Sequence, residues 1–173
     1  MPVLGASSTP HRTWLATLVL IASFSSLGFA ISAKAASNPF EQLSGDWTGG
    51  GTVTPAKGGP KKVDCNATYK VAGSNLSQDL TCTGDDYEIE VKLKLADKSG
   101  KVKGTWTEAI YDASGAVTGI AKPNLIHAII RGDKFSGRMS ITVTDAGHSI
   151  NILQLNEDTR TYRLVTSLRL RRP

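Results

Sequence analysis

From Tyr87 to Leu95 the chain alternates without a break: every odd position is apolar and every even position between them is charged. Successive side chains of an extended strand point to opposite faces, so this stretch predicts a strand with one face in a core and one in water. A helix would scatter those charges around its axis. The period of two runs on from Ser44 toward the C terminus, and no stretch there carries a convincing amphipathic helix. Such a chain is directed toward antiparallel sheet with a single apolar face.

Turns and cysteines predict the register. Val63, Cys65, Ala67, Tyr69 and Val71 alternate with polar residues, and so do Leu76, Leu80 and Cys82. Folding the chain at Gly73-Ser74 sets Val71 against Leu76, Ala67 against Leu80 and Cys65 against Cys82. A two-residue loop that opens on glycine suits a type II′ hairpin turn. The cysteines then form a directly opposed pair with Cα atoms about 4.5 Å apart, which lies within the roughly 4.4–6.8 Å span of disulfides. Both arguments point to a Cys65–Cys82 disulfide. Loops at Asp97–Gly100, Asp112–Gly115, Gly132-Asp133 and Asp145-Ala146 extend the meander. They set Leu95 against Val102, Ile110 against Val117, Ile130 against Phe135, and Ile141 against Ile150. Each loop uses Asp, Gly or Ser, which tolerate positive φ or cap a turn.

About ten strands result, near residues 44–54, 62–71, 75–83, 86–95, 101–111, 116–121, 125–131, 134–144, 148–155 and 160–170. Sequential hairpins with one apolar face must curl to bury it. An up-and-down all-β meander of about 8–10 strands, closed into a barrel, does this and leaves no open edge. Two packed sheets are the alternative. The register predicts an inner face that includes Trp47, Tyr69, Leu80, Tyr87, Ile89, Val91, Leu93, Trp106, Ile110, Ile126, Ile130, Phe135, Met139, Ile141, Ile150 and Ile152.

Residues 1–35 read as a signal peptide. Arg12 supplies a positive start, no acidic residue precedes Glu41, and an apolar run extends from Trp14 to Phe29. Ala33-Lys34-Ala35 then gives the small-x-small pattern of a cleavage site. Serines and a glycine interrupt the run, which makes it short for a bilayer span; an uncleaved anchor is the alternative. The expected plan is a signal peptide at 1–35, an N-terminal segment at 36–43 and a barrel domain at 44–173. It implies a periplasmic or secreted protein with no transmembrane segment after cleavage. An even cysteine count fits an oxidising compartment.

The formal net charge is +5, and Arg12 and Lys34 would leave with the signal peptide. The remaining excess is mild and does not suggest a nucleic-acid partner, which needs a clustered basic face. Arg169, Arg171 and Arg172 form the one basic cluster. It reads as a solvated strand edge, with contact to a membrane surface or an acidic partner as the sharper alternative.

The opening strand, Leu43-Ser44-Gly45-Asp46-Trp47-Thr48-Gly49, carries a Gly-x-Trp. In an exported antiparallel meander this resembles the calycin superfamily of lipocalins, avidin-like proteins and small bacterial metalloprotease inhibitors. More closely, four features resemble a group of small exported lipocalin-like proteins of alphaproteobacteria. They are Leu43 to Gly51, the Cys65-to-Cys82 hairpin, Gly104-Thr105-Trp106-Thr107-Glu108 and Phe135-Ser136. The resemblance implies that Trp47 closes one barrel end beneath an arginine from the last strand, with Arg169 and Arg171 as candidates.

Glu108 shares the predicted inner face with Trp106 and Ile110. A buried carboxylate needs partners, so it is either hydrogen-bonded near the barrel mouth or a polar anchor for a ligand. Gln78, Gln154 and Thr166 face inward with the same two readings. His148 falls inside near a turn and His127 outside, with no metal-ligand spacing. No nucleophile has a partner base in sequence, so no catalytic residue, metal or cofactor is assigned and no enzyme activity is expected. The expected role is to bind a small apolar or amphipathic ligand, with Trp47, Tyr69, Trp106, Glu108 and Phe135 as the candidate site. A protein partner, such as an exported protease engaged by residues 36–42, is the alternative.

Overall fold

The structure is a computed structural model that describes residues 38–173; the expected signal peptide at 1–35 lies outside the described residues. A 3-10 turn, Glu41–Leu43, leads into ten strands. They are β1 (Gly45–Val53), β2 (Lys61–Ala72), β3 (Asn75–Thr83), β4 (Glu88–Lys98), β5 (Lys101–Glu108), β6 (Ala113–Lys122), β7 (Leu125–Gly132), β8 (Ser136–Thr144), β9 (Gly147–Asn156) and β10 (Thr161–Arg171). Each pairs antiparallel with its chain neighbours, and β1 pairs with β10 to close the barrel. That unbroken ladder rules out two separate stacked sheets.

The alternation predicted for the strands is their burial pattern. Along β2, Val63, Cys65, Ala67 and Tyr69 are buried between exposed or half-buried neighbours. Along β7, Ile126, Ala128 and Ile130 are buried and the residues between them are exposed. Cys65 stands opposite Cys82 and is bonded to it, with the Cα atoms 4.1 Å apart. Gly73 takes a positive φ of 56° at the turn, as the expected hairpin type requires. Closure also uses glycine: a Cβ at Gly49 or Gly51 would run into the carbonyl oxygens of Arg169 and Ser167 on β10.

Three registers differ from expectation. Leu95 stands opposite Gly104 rather than Val102, because the β4–β5 loop is only Ser99-Gly100. Both residues take positive φ, 54° and 79°, which makes a tight hairpin turn. Ile130 stands opposite Gly137 rather than Phe135, because the β7–β8 loop is longer than two residues. Between β5 and β6 the chain turns at residues 109–112, earlier than expected, so Gly104 meets Val117. Ile110 therefore leaves the ladder and is 47% exposed, where an inward position opposite Val117 was expected. The other fifteen predicted inner residues are buried or packed partly buried against the core.

Candidate ligand-binding cavity

The two ends of the barrel differ. At the end where β1 starts, the interior is solid. Phe40 and Leu43 are fully buried there, and the Trp47 indole N–H donates to the Leu43 carbonyl at 2.7 Å. Arg172, one residue past β10, lies over the Trp47 ring at 4.3 Å. It also donates to the carbonyls of Ser44 and Gln42 at 3.0 and 3.2 Å. Leu168 and Leu170 point inward on β10, and Arg172 continues their parity. This is why it, rather than Arg169 or Arg171, covers the tryptophan.

Beneath Trp47, the Tyr69 hydroxyl and His148 Nε2 share a hydrogen bond of 2.9 Å. The imidazole meets Trp47 and Tyr69 edge-on, with centroids 4.6 and 5.3 Å away. Burial, reinforced by the nearby Arg172 charge, pushes His148 down to about 4. Burial pushes the Tyr69 phenol upward. Both are neutral at ordinary pH, and the cluster is a plug. Trp47 and Tyr69 are therefore in the closed end and not in the cavity walls.

From the other end a cavity of about 680 Å³ runs into the barrel. Its walls are apolar: Leu80, Ile89, Val91, Leu93, Met139, Ile150, Ile152 and Leu168 face it. Trp106 and Phe135 also line it and meet edge-to-face, with centroids 6.0 Å apart. Gln78, Gln154 and Thr166 add the few polar groups within the walls. Inward glycines on β1 and β5 let the sheet coil tightly.

Glu108 also lines the cavity, and its carboxylate is fully engaged by backbone. Oε1 accepts from the amides of Glu90 and Ile110 at 3.0 and 3.3 Å, and Oε2 from the amide of Tyr111 at 2.7 Å. It shapes the β5–β6 loop at the rim. That loop carries Tyr111, whose ring stacks on Tyr87 with centroids 5.7 Å apart. Burial, then the adjacent Tyr111 and Glu108, push the Tyr87 phenol up to about 12. Lys134 crosses from the β7–β8 loop and donates to the carbonyls of Tyr111 and Asp112 at 3.1 and 2.7 Å. Lys61 pairs with Asp86 at the same rim. Glu108 held by hydrogen bonds near the mouth is one of its two expected readings; the rest of the rim was not legible in sequence, because its members lie far apart in the chain.

Of the five candidate site residues, the structure brings Trp106, Glu108 and Phe135 together at the cavity. The fold and the site thus describe a closed ten-stranded barrel with an apolar cavity open at one end. A crystal structure of Rv2717c from M. tuberculosis is similar, with a TM-score of 0.65 over 80% of this chain and 98% of that one. Identity is 11%, so the likeness is one of fold. No protein-family model matches the chain. A stretch of 73 residues is 33% identical to aldehyde oxidoreductase of Megalodesulfovibrio gigas, spanning 42% of this chain and 8% of that protein's length.

Proposed function

We propose that the protein binds one small apolar or amphipathic molecule inside its barrel. The observation that carries this reading is the cavity. Barrels of this size can be filled by their own side chains, yet this one keeps about 680 Å³ open beside Trp106 and Phe135. Ligand sites commonly occupy about 300–1,000 Å³ with mostly apolar walls and a few polar groups. Gln78, Gln154 and Thr166 supply such groups in the walls, and the Tyr87–Tyr111 pair supplies them at the rim.

The closed barrel is compatible with a calycin-like, lipocalin-type fold, and Arg172 over Trp47 supports that reading. The Cys65–Cys82 disulfide supports export to the periplasm or beyond. The role is binding, with no catalytic step assigned. The alternative role in protease binding would rest on residues 36–42. Phe40 is fully buried and the Gln42 carbonyl is held by Arg172, so the cavity reading is the better supported.

Native mass spectrometry and organic extraction of the purified protein test the proposal. An adduct of small-molecule mass that leaves on extraction is expected. A clean apo mass, with no binding across a panel of lipids and metabolites, would sink it.

A further inference from the structure

We infer that the outer wall formed by β6 to β10 docks on the surface of an anionic phospholipid bilayer. The two halves of the barrel differ in charge. Strands β1 to β5 mix acids and bases, as in the run Glu88, Glu90, Lys92, Lys94 on β4. Strands β6 to β10 contain no aspartate or glutamate at all, while their outward positions carry Lys122, Arg131, Arg138, Arg169 and Arg171.

The same wall displays apolar side chains to solvent. Ile120, Ile129, Tyr162 and Leu164 are 48%, 41%, 38% and 51% exposed. The ladder places several of these together. Ile129 stands opposite Arg138, Arg138 opposite Leu153, and Leu153 opposite Leu164. With strands about 4.8 Å apart, this row crosses roughly 14 Å of the wall. Tyr162 lies beside it opposite Leu155, and the Arg138 guanidinium covers the Tyr162 ring at 4.1 Å. The nearest acids are in the loops: Asp133, Asp158 and Glu157, and Glu157 is paired with Arg160.

Charge complementarity selects the partner. Each arginine near an anionic leaflet is attracted to it. Arginine and tyrosine both combine an apolar body with a polar tip, which suits the headgroup boundary. A barrel wall is convex, and lipid headgroups yield around a convex surface. The contact is peripheral, because an apolar interior and a charged exterior invert the pattern of a membrane-spanning barrel. The inference goes beyond ligand binding and holds whether or not the cavity is occupied.

Co-sedimentation of the full chain with vesicles tests it, comparing pure phosphatidylcholine with mixtures containing phosphatidylglycerol. Every protein compared carries the same N terminus, so its contribution cancels. The expected result is at least about tenfold tighter binding to the anionic vesicles, lost at high salt. Arg131→Gln with Arg138→Gln should weaken it about tenfold. Tyr162→Ser with Leu164→Ser should weaken it without changing charge. Lys70→Gln with Lys94→Gln, exposed on β2 and β4 away from that wall, should leave it unchanged. Should the serine variant fail to fold, the glutamine pairs and the salt series still decide. Equal binding to both vesicle types, or equal losses from the two glutamine pairs, would overturn the inference. So would self-association or capture of an acidic protein that needs Tyr162 and Leu164, in the absence of vesicle binding.

Discussion

Arg172 lies over Trp47, its guanidinium carbon 4.3 Å from the ring centroid. The same guanidinium donates to the carbonyls of Ser44 and Gln42. One side chain past the last strand thus ties the C terminus to the segment that enters the first. It seals the barrel end opposite the cavity mouth. Arg172→Ala should lower stability by about 1–2 kcal/mol, from one cation–π contact and two charge-assisted hydrogen bonds. Arg172→Lys should recover part of that, since it keeps the charge and loses the planar fork. Urea denaturation reads both.

His148 predicts a pH dependence. Its folded value is lowered from 6.5 to about 4, by burial first and Arg172 second. Between those values the unfolded chain binds a proton that the native protein refuses. Stability from this group is therefore complete above about 6.5 and declines as pH falls toward 4, with a slope of up to about 1.4 kcal/mol per pH unit. His148→Gln retains a hydrogen-bonding partner for Tyr69 and removes the titration. The stability difference between wild type and variant should shrink on going from neutral pH to pH near 4. A difference independent of pH would show that His148 takes up its proton as readily in the folded protein as in the unfolded chain, and would contradict the lowered value.

Glu108 serves as a cap for three backbone amides at the rim. Glu108→Ala leaves those donors without their acceptor and should cost about 2–4 kcal/mol. Glu108→Gln keeps one carbonyl acceptor and should cost less. Hydrogen exchange at the Tyr111 amide should accelerate in the alanine variant before global unfolding does. If exchange there is unchanged, the carboxylate does not hold the loop.

The disulfide spans a hairpin with a sequence separation of 17. Replacing both cysteines with serine should cost about 3 kcal/mol in the chain-entropy account. The fold should survive, because the surrounding β2–β3 register is also set by Val71 against Leu76 and Ala67 against Leu80. Near-ultraviolet circular dichroism and a melting curve check both statements.

Side-chain parity was legible in the sequence, because burying one face constrains every strand to one of two phases. Absolute register was legible only where a second constraint acted. The cysteine pair located β2 against β3, and the Asp145-Ala146 turn located Ile141 against Ile150. A slip of two residues keeps every side chain on its face, so alternation cannot detect it. That is how the β4–β5 and β7–β8 pairings came to differ while Leu93, Trp106 and Ile130 stayed inside. Ile110 departs from its expected inward position for a related reason. The turn that displaces it is held by Glu108 through backbone amides, and no residue pattern records that. The closed end was half legible: Trp47 signalled it, whereas Phe40 and Leu43 lie in a segment with no strand periodicity. The separation of Trp47 and Tyr69 from the cavity follows from their height along the barrel axis, which parity does not encode.

A binding role requires an open interior that accepts a guest. The direct measurement is a fluorescence titration of wild type and Ile152→Trp with a dansyl-labelled fatty acid. Ile152 is half-buried and faces the cavity, so an indole there occupies the space a guest would use. Saturable one-to-one binding by wild type, at least about tenfold weaker in a variant that melts normally, is the predicted result. No binding by wild type, or equal binding by both proteins, would contradict it.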